Sequence, residues 1–528
     1  TMKKGESAYK VVAELEKDAR AKVKLTMTRN FDRIIIKTKP DERFDILVNV
    51  ITNFMDPHTT FFPPLEKRPF DEQMSGRFYG IGASLRNDEG GAIRIATLVA
   101  GLPASKSQQL AVGDQVLKVG QAAEEPTDLT GFETEDAVKL IRGKKGTEVR
   151  LTLKKADGSI KIVSMIRDEV VLDETYAKSA VINEGGKKIG YIFLPEFYAD
   201  WERPNGPKCS QDVAKEIIKL KEQAVDGIIM DLRNNGGGSL YDVVQMVGFF
   251  IPDGPIVQVK DREGNPQVLR DRDRSVLYDG PLAVMVNEFS ASASEIFAAA
   301  IQDYGRGIVI GSTSTYGKGT VQRNIGLEPS TGLFNKEATD IGTIKLTLQK
   351  FYRINGGSTQ LKGVTPNIIL PDQYESLKYR EKDNPDALPW DEIPRAFYNR
   401  ISPGYDMDYV KKTSATRVAA NPTFNAIKES SSLMETANQR VYSLQLNKYR
   451  EGQKSLRESF KKIEEMNKST KVMEVSMLEL DQKKLAADND KLERRKQWIG
   501  NLSKDIYINE TCQVIADMIK QVVLVKGN

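Results

Sequence analysis

The chain contains a single histidine, His58, among 528 residues. Any hydrolytic mechanism built on an imidazole base must pass through that one position. Cysteine is nearly as scarce. Cys209 and Cys512 stand far apart, so a multi-bridge disulfide framework is excluded and a cysteine-rich zinc site would lack ligands. Long apolar runs are missing as well. The best stretch, Pro281–Ile301, is broken by Asn287, Glu288 and Glu295, short of the roughly 18 unbroken apolar residues of a membrane span. Neither sign of charge dominates, with 77 Lys+Arg against 73 Asp+Glu. Nothing there calls for a nucleic-acid partner. No signal segment is visible. The chain opens inside a charged helical pattern, Ala8–Leu25, as a mature chain cut after a leader would.

The length exceeds one hydrophobic core and predicts three or four domains of roughly 100–200 residues each. Residues 6–56 read as helices from the spacing of Val11, Val12, Leu15, Phe44, Ile46, Leu47, Ile51 and Phe54, and the run ends at Asp56-Pro57-His58. Residues 76–172 read as a compact β-rich module, with strands at Phe78–Leu85, Ile93–Val99, Val149–Lys154 and Ile160–Ile166 and helices at Pro103–Leu110 and Thr134–Ile141. From 186 to 371, apolar strands alternate with helices, which predicts a βα-layered domain. Residues 372–395 are polar and proline-rich and read as a linker. The remainder reads as helical and highly charged, with Lys454–Arg495 as a solvated helix.

Three short segments carry the chemistry. Phe289-Ser290-Ala291-Ser292-Ala293-Ser294-Glu295 stands between an apolar strand and a small-residue helix, where a nucleophile is exposed beside main-chain N–H groups. The same letters, Ser292 to Glu295, also fit a helix capping box. Tyr316-Gly317-Lys318-Gly319-Thr320-Val321-Gln322 places a lysine between two glycines, which permit close backbone approach. It also fits a plain surface turn. A phosphate-binding loop is rejected, because Ser312 stands where that motif needs its first glycine. Asp231-Leu232-Arg233-Asn234-Asn235-Gly236-Gly237-Gly238 follows a buried strand and offers N–H groups to an anion, or is simply a strand-to-helix turn. Jointly the three point to acyl transfer with a base other than histidine. A lysine base must be neutral, so its pKa must fall from roughly 10.4 to about 7–8, by burial or a nearby cation.

These segments, together with Gln302-Asp303-Tyr304-Gly305-Arg306, Lys350-Phe351-Tyr352-Arg353, Gly356–Gln360 and Lys362–Pro366, resemble the carboxy-terminal processing (tail-specific) proteases. Gly80-Ile81-Gly82-Ala83 and Gly113-Asp114 resemble their PDZ domain, and Ala387-Leu388-Pro389-Trp390-Asp391 resembles a segment of the longer, periplasmic members. The resemblance implies a multi-domain α/β protein with a crotonase/Clp-protease-like core. Its parts are an N-terminal helical region (1–75), a PDZ domain (76–172), a catalytic core (173–371), a linker (372–395) and a C-terminal helical domain (396–528).

It also implies Ser292 as nucleophile, Lys318 as general base and Gln322 as the residue orienting the lysine. Ala293 with Gly237 or Gly238 would form the oxyanion hole, and Tyr79, Gly80, Ile81 and Gly82 the peptide-carboxylate loop, with Ile81 lining an apolar pocket. Neither metal nor cofactor is implied. The implied partners are proteins with free apolar C-termini and an adaptor lipoprotein, and the implied location is the periplasm, soluble or lipid-anchored. Asp303 and His58 match further family positions. About 16 Å of helix between Ser292 and Asp303 points to a structural role for Asp303, and His58 reads as fixing a loop. The rival readings are a non-catalytic peptide-binding adaptor on the same fold and a small-molecule binder.

Overall fold

A computed structural model describes residues 12–32, 35, 38, 40–88, 91–99, 101–129, 131–170, 175–201, 203–327, 341–438, 443, 445–468 and 472–526. The start of the expected N-terminal helical run, residues 6–11, lies outside them.

The centre is a seven-stranded sheet. Lys187–Phe193, Gly227–Asp231, Leu282–Val286, Ile308–Gly311 and Ile368–Ile369 run parallel and side by side. Gly227–Asp231, Leu282–Val286 and Ile308–Gly311 are buried at every position, as strands covered on both faces must be. One face packs on helices Cys209–Glu222, Leu240–Gly248 and Ala293–Tyr304 through Val213, Ile217, Val243, Met246, Phe297 and Ile301. The other face is covered by residues from the C-terminal part, including Phe424, Cys512, Val514, Ile515 and Met518. Both cysteines are free and buried.

A five-stranded sheet flanks this core. Strand Thr343–Tyr352 sits within it, pairing with Thr60–Phe62, Gly254–Asp261 and Thr320–Gly326. Helix Pro40–Met55 leads into Thr60–Phe62 and is tied to it by Asn49, whose side chain bonds both main-chain groups of Phe61 at 2.9 and 3.0 Å. Helix Pro64–Ser75 then enters the β-rich module. That module is a six-stranded sheet with its own core of Ile81, Ile93, Ile95, Val149, Leu151 and Leu153. The expected strand Phe78–Leu85 is two strands, Phe78–Gly80 and Ala83–Asn87. Gly82 breaks it with φ +75°, and a Cβ there would fall 2.4 Å from Leu102 Cβ.

Two expectations need correction. Residues 372–395 contain little regular structure beyond the turn Glu381–Asp383, but they do not hang free. Arg380 and Glu381 are buried, Trp390 donates to the Ser358 carbonyl, and Asp391 accepts from Lys350 and Tyr352. Proline and polar residues signal a lack of repeating structure, not a lack of packing. The charged stretch 454–495 is not one solvated helix either. Helix Leu446–Lys468 is followed by strand Glu474–Ser476, which pairs with Lys178–Glu184 and extends the central sheet. Helices Glu479–Leu485 and Asn489–Leu502 come after it.

Candidate active site

The three segments singled out in the sequence leave the C-terminal ends of three adjacent parallel strands. Asp231–Gly238 follows Gly227–Asp231, Ser292 follows Leu282–Val286, and Lys318 follows Ile308–Gly311. Loops at that edge of an open α/β sheet are where such folds gather reacting groups. Ser292, Ala293, Lys318, Gln322 and Gly236–Gly238 all line one cleft of about 600 Å³. Helix Pro64–Ser75 forms its opposite wall through Phe70, Asp71 and Met74.

Ser292 has φ +56° and ψ −111°, a backbone state that side chains other than glycine rarely adopt. Such a residue costs about 1–3 kcal/mol and persists only where its surroundings hold it. Here the holder is Glu295, one turn into the helix. Its Oε2 accepts the N–H of Ser292 at 2.7 Å and of Lys318 at 3.0 Å, while Oε1 accepts the N–H of Gly317 at 2.7 Å and the hydroxyl of Thr315 at 2.6 Å. Burial pushes the Glu295 carboxyl up, to about 8, while the four donors pull it down. Three of them are main-chain N–H groups, which can only donate and so favour the ionised form against the burial that opposes it. The expected capping box is present at this helix start, its Glu295 half carried by the bond from the Ser292 N–H.

Lys318 is fixed by its backbone: its N–H on Glu295, its carbonyl accepting from Thr359 Oγ1 at 2.7 Å. Burial lowers its pKa to about 8, helped by the charge of Lys345 and opposed by Glu381, Glu295 and Asp56. Among the described residues no hydrogen bond joins the Ser292 hydroxyl to the Lys318 ammonium. Gln322 Nε2 donates to Thr320 Oγ1 at 2.8 Å and Thr347 Oγ1 at 3.1 Å, so its amide is anchored beside the lysine without bonding it.

Gly237 has φ +107°, and a Cβ on it would lie 2.7 Å from Ser292 Cβ and 3.1 Å from the Ala293 nitrogen. Only glycine lets this loop approach the serine turn so closely. The Gly237 N–H is committed to Asn235 Oδ1 at 2.9 Å. The N–H groups of Ala293 and Gly238 have no main-chain acceptor among the described residues.

The remaining expected residues lie elsewhere. Asp303, at the far end of the helix, pairs with Arg353 at 2.6 Å and accepts from Asn355. His58 Nε2 meets Glu381 Oε2 at 2.8 Å. The adjoining Asp56 accepts from the His58 N–H, Thr59 Oγ1 and Thr347 Oγ1, which fixes the loop. In the β-rich module, the Tyr79 hydroxyl is bonded by Arg77, and Gly80 pairs with Asp168. Ile81 is 2% exposed and packs into the module's core. Strand Ala83–Asn87 ends the described sheet, paired only with Ile93–Leu98, alongside helix Thr134–Ile141.

Sequence reasoning missed three contributors. Glu295 was visible only as a capping residue, although a glutamate in a helix of small and apolar residues is itself a signal of burial with partners. The helix Pro64–Ser75 and Lys345 reach the cleft through long-range packing and left no local mark.

Three family models match the chain: Peptidase family S41 over residues 188–370, the C-terminal domain of tail specific protease over 374–520, and the PDZ domain over 71–154. A tail-specific protease of Haemophilus influenzae is 39% identical over 77% of this chain and 58% of its own length. The chain thus spans a little over half of that relative. A carboxy-terminal processing protease of Bacillus subtilis is 33% identical over 66% of this chain and 68% of its own. Among solved structures, a photosystem II D1 C-terminal processing protease is 23% identical, covering 63% of this chain and 82% of that one, with a TM-score of 0.37.

Proposed function

The chain belongs to the carboxy-terminal processing proteases of peptidase family S41, and from that premise we propose that it is a serine endopeptidase with Ser292 as nucleophile and Lys318 as base. One observation carries this reading: a serine on a strained turn and a half-buried lysine share a cleft and hang from the same carboxylate, Glu295. In the reaction, neutral Lys318 takes the proton from Ser292 Oγ as that oxygen attacks the scissile carbonyl. The N–H groups of Ala293 and Gly238 receive the oxyanion, since Gly237's is already engaged by Asn235. The lysine ammonium passes its proton to the departing amine. A water molecule, deprotonated by the same lysine, then releases the acyl group and restores the serine. Gln322, held by Thr320 and Thr347, limits where the lysine can swing.

In this reading the PDZ domain takes a free apolar C-terminus by strand addition along Ala83–Asn87, with the Tyr79–Gly82 turn at the carboxylate. It thereby raises the concentration of the tethered chain at the cleft. Substrates in the periplasm, an adaptor lipoprotein and a soluble or lipid-anchored placement complete the proposal.

The missing Ser292–Lys318 hydrogen bond is what a non-catalytic peptide-binding adaptor would share. A serine-reactive phosphonate with peptide mapping separates the two. Label on Ser292, lost in Ser292→Ala and strongly reduced in Lys318→Ala, supports the peptidase. An unlabelled wild-type chain that still binds C-terminal peptides establishes the adaptor.

A further inference from the structure

Lys345 is the third residue of strand Thr343–Tyr352 and lines the cleft that holds Lys318. Its cross-strand partner is Asn324, and two residues along, Thr347 is opposite Gln322. Alternate residues of paired strands share one face, so Lys345 lies on the same face as the glutamine beside the base. Its ammonium lies 5.2 Å from the ring centroid of Phe70, on the helix that walls the cleft.

The charges around the pair come from five elements, one of them the segment after Lys187–Phe193, where Glu196 and Asp200 line the cleft and Asp200 pairs with Arg77 and Arg203. Glu295 reaches in from the helix Ala293–Tyr304 and is held by four donors. Glu381, from the segment after the core, is engaged by His58 and by Gln360 Nε2. Asp56, after helix Pro40–Met55, accepts three hydrogen bonds. On helix Pro64–Ser75, Lys67 and Asp71 pair with each other. Each of these carboxylates is occupied by another group. Neither Lys318 nor Lys345 forms an ion pair among the described residues.

We infer that Lys345 is a positioning residue for the base, a cation whose presence in the cleft disfavours a second positive charge and so keeps Lys318 in the neutral form that accepts the serine proton. The inference rests on the Ser292–Lys318 reading. Burial lowers both lysines, and the charge of Lys345 lowers Lys318 further. Burial lowers Lys345 against the pull of Asp56, whereas at Lys318 burial and the charge of Lys345 act in the same direction. The Phe70 ring face favours the charged state of Lys345.

The test is the pH dependence of kcat/KM and of phosphonate labelling at Ser292, in wild type, Lys345→Met, Lys345→Arg and Asn324→Asp. Two like charges in a partly buried cleft interact by an amount corresponding to about one pH unit. Lys345→Met is expected to move the alkaline-rising limb up by about that much, lowering activity near neutral pH about tenfold while the alkaline plateau is kept. Lys345→Arg, still charged, should leave the limb in place. Asn324→Asp is an exposed change that sets a carboxylate opposite Lys345; it should move the limb upward with Lys345 intact, so the inference does not depend on Lys345→Met folding. If Ser292 is labelled but neither Lys345→Met nor Asn324→Asp moves the limb, the inference is wrong and the dyad stands. If rates fall equally at every pH, Lys345 serves packing alone. If wild-type Ser292 takes no label, the dyad itself fails and this inference fails with it.

Discussion

Glu295 Oε2 accepts the main-chain N–H of Ser292 at 2.7 Å, and this bond holds a serine in a conformation it would not adopt alone. The same carboxylate takes three more donors from the lysine loop. Glu295→Gln replaces one acceptor oxygen by an NH2 group facing donors. Leaving a buried donor unpaired costs about 1–3 kcal/mol. The variant should lose about 2 kcal/mol of stability in denaturant unfolding and most of its cleavage rate, because the turn and the loop come apart together. Unchanged stability would mean that the four hydrogen bonds are not the tie between them.

The pH profile identifies the base. With Lys318 held at about 8, the neutral fraction rises from about a tenth at pH 7 to about nine-tenths at pH 9. Cleavage should climb over that window and then level off. His58→Asn removes the imidazole from Glu381 but should leave the midpoint of the climb unmoved. A limb that vanishes in that variant would make the imidazole, rather than the lysine, the group that titrates.

Gly237→Ala asks for a side chain where φ is +107° and where its Cβ would meet Ser292 Cβ at 2.7 Å. The loop must retreat from the serine turn. Loss of an oxyanion donor typically costs a factor of about 100–1000 in kcat. A loss of that size with KM little changed is expected from steady-state kinetics on a peptide substrate. Wild-type kcat in Gly237→Ala would show that the loop does not shape the oxyanion site.

Substrates ending in a free apolar residue should be cleaved well ahead of the same protein with an amidated or acidic end, as measured by rates on matched tails. Strand addition needs an open edge, and Ala83–Asn87 presents one. Replacing Ala83 by proline removes a main-chain donor from the open side of that edge strand and should weaken tail preference without touching the cleft. Equal rates on all tails would detach the PDZ domain from substrate choice.

How much of this was legible in the sequence depended on range. The strand Leu282–Val286 and the helix Thr134–Ile141 have the limits their apolar patterns predict, because burial of a whole strand or one helix face writes itself into adjacent letters. The segments around Ser292, Lys318 and Gly237 were recognisable because each packs its distinctive residues into a few adjacent positions that resemble family motifs. Glu474–Ser476 was not, since three residues in a charged region have no period to detect. Lys345 became part of the site only through the register that sets it opposite Asn324, with residues 328–340 between the two strands outside the description. The polar chain Gln322–Thr347–Asp56 likewise joins residues far apart in sequence.

Strand Glu474–Ser476 and helix Ile506–Lys526 finish a sheet whose cleft-lining loops are encoded far upstream. Arg233, beside the glycine loop, leans on Asp505 at 2.9 Å, and Ile515 packs against Gly227 at the base of the same strand. A ribosome therefore releases the serine, the lysine and the glycines long before their scaffold can close. Until then Ile229, Ala283 and Met285 lack their cover. A chain that stops before Glu474 leaves that face of the central sheet, and the strands that carry the three loops, without the packing that closes it.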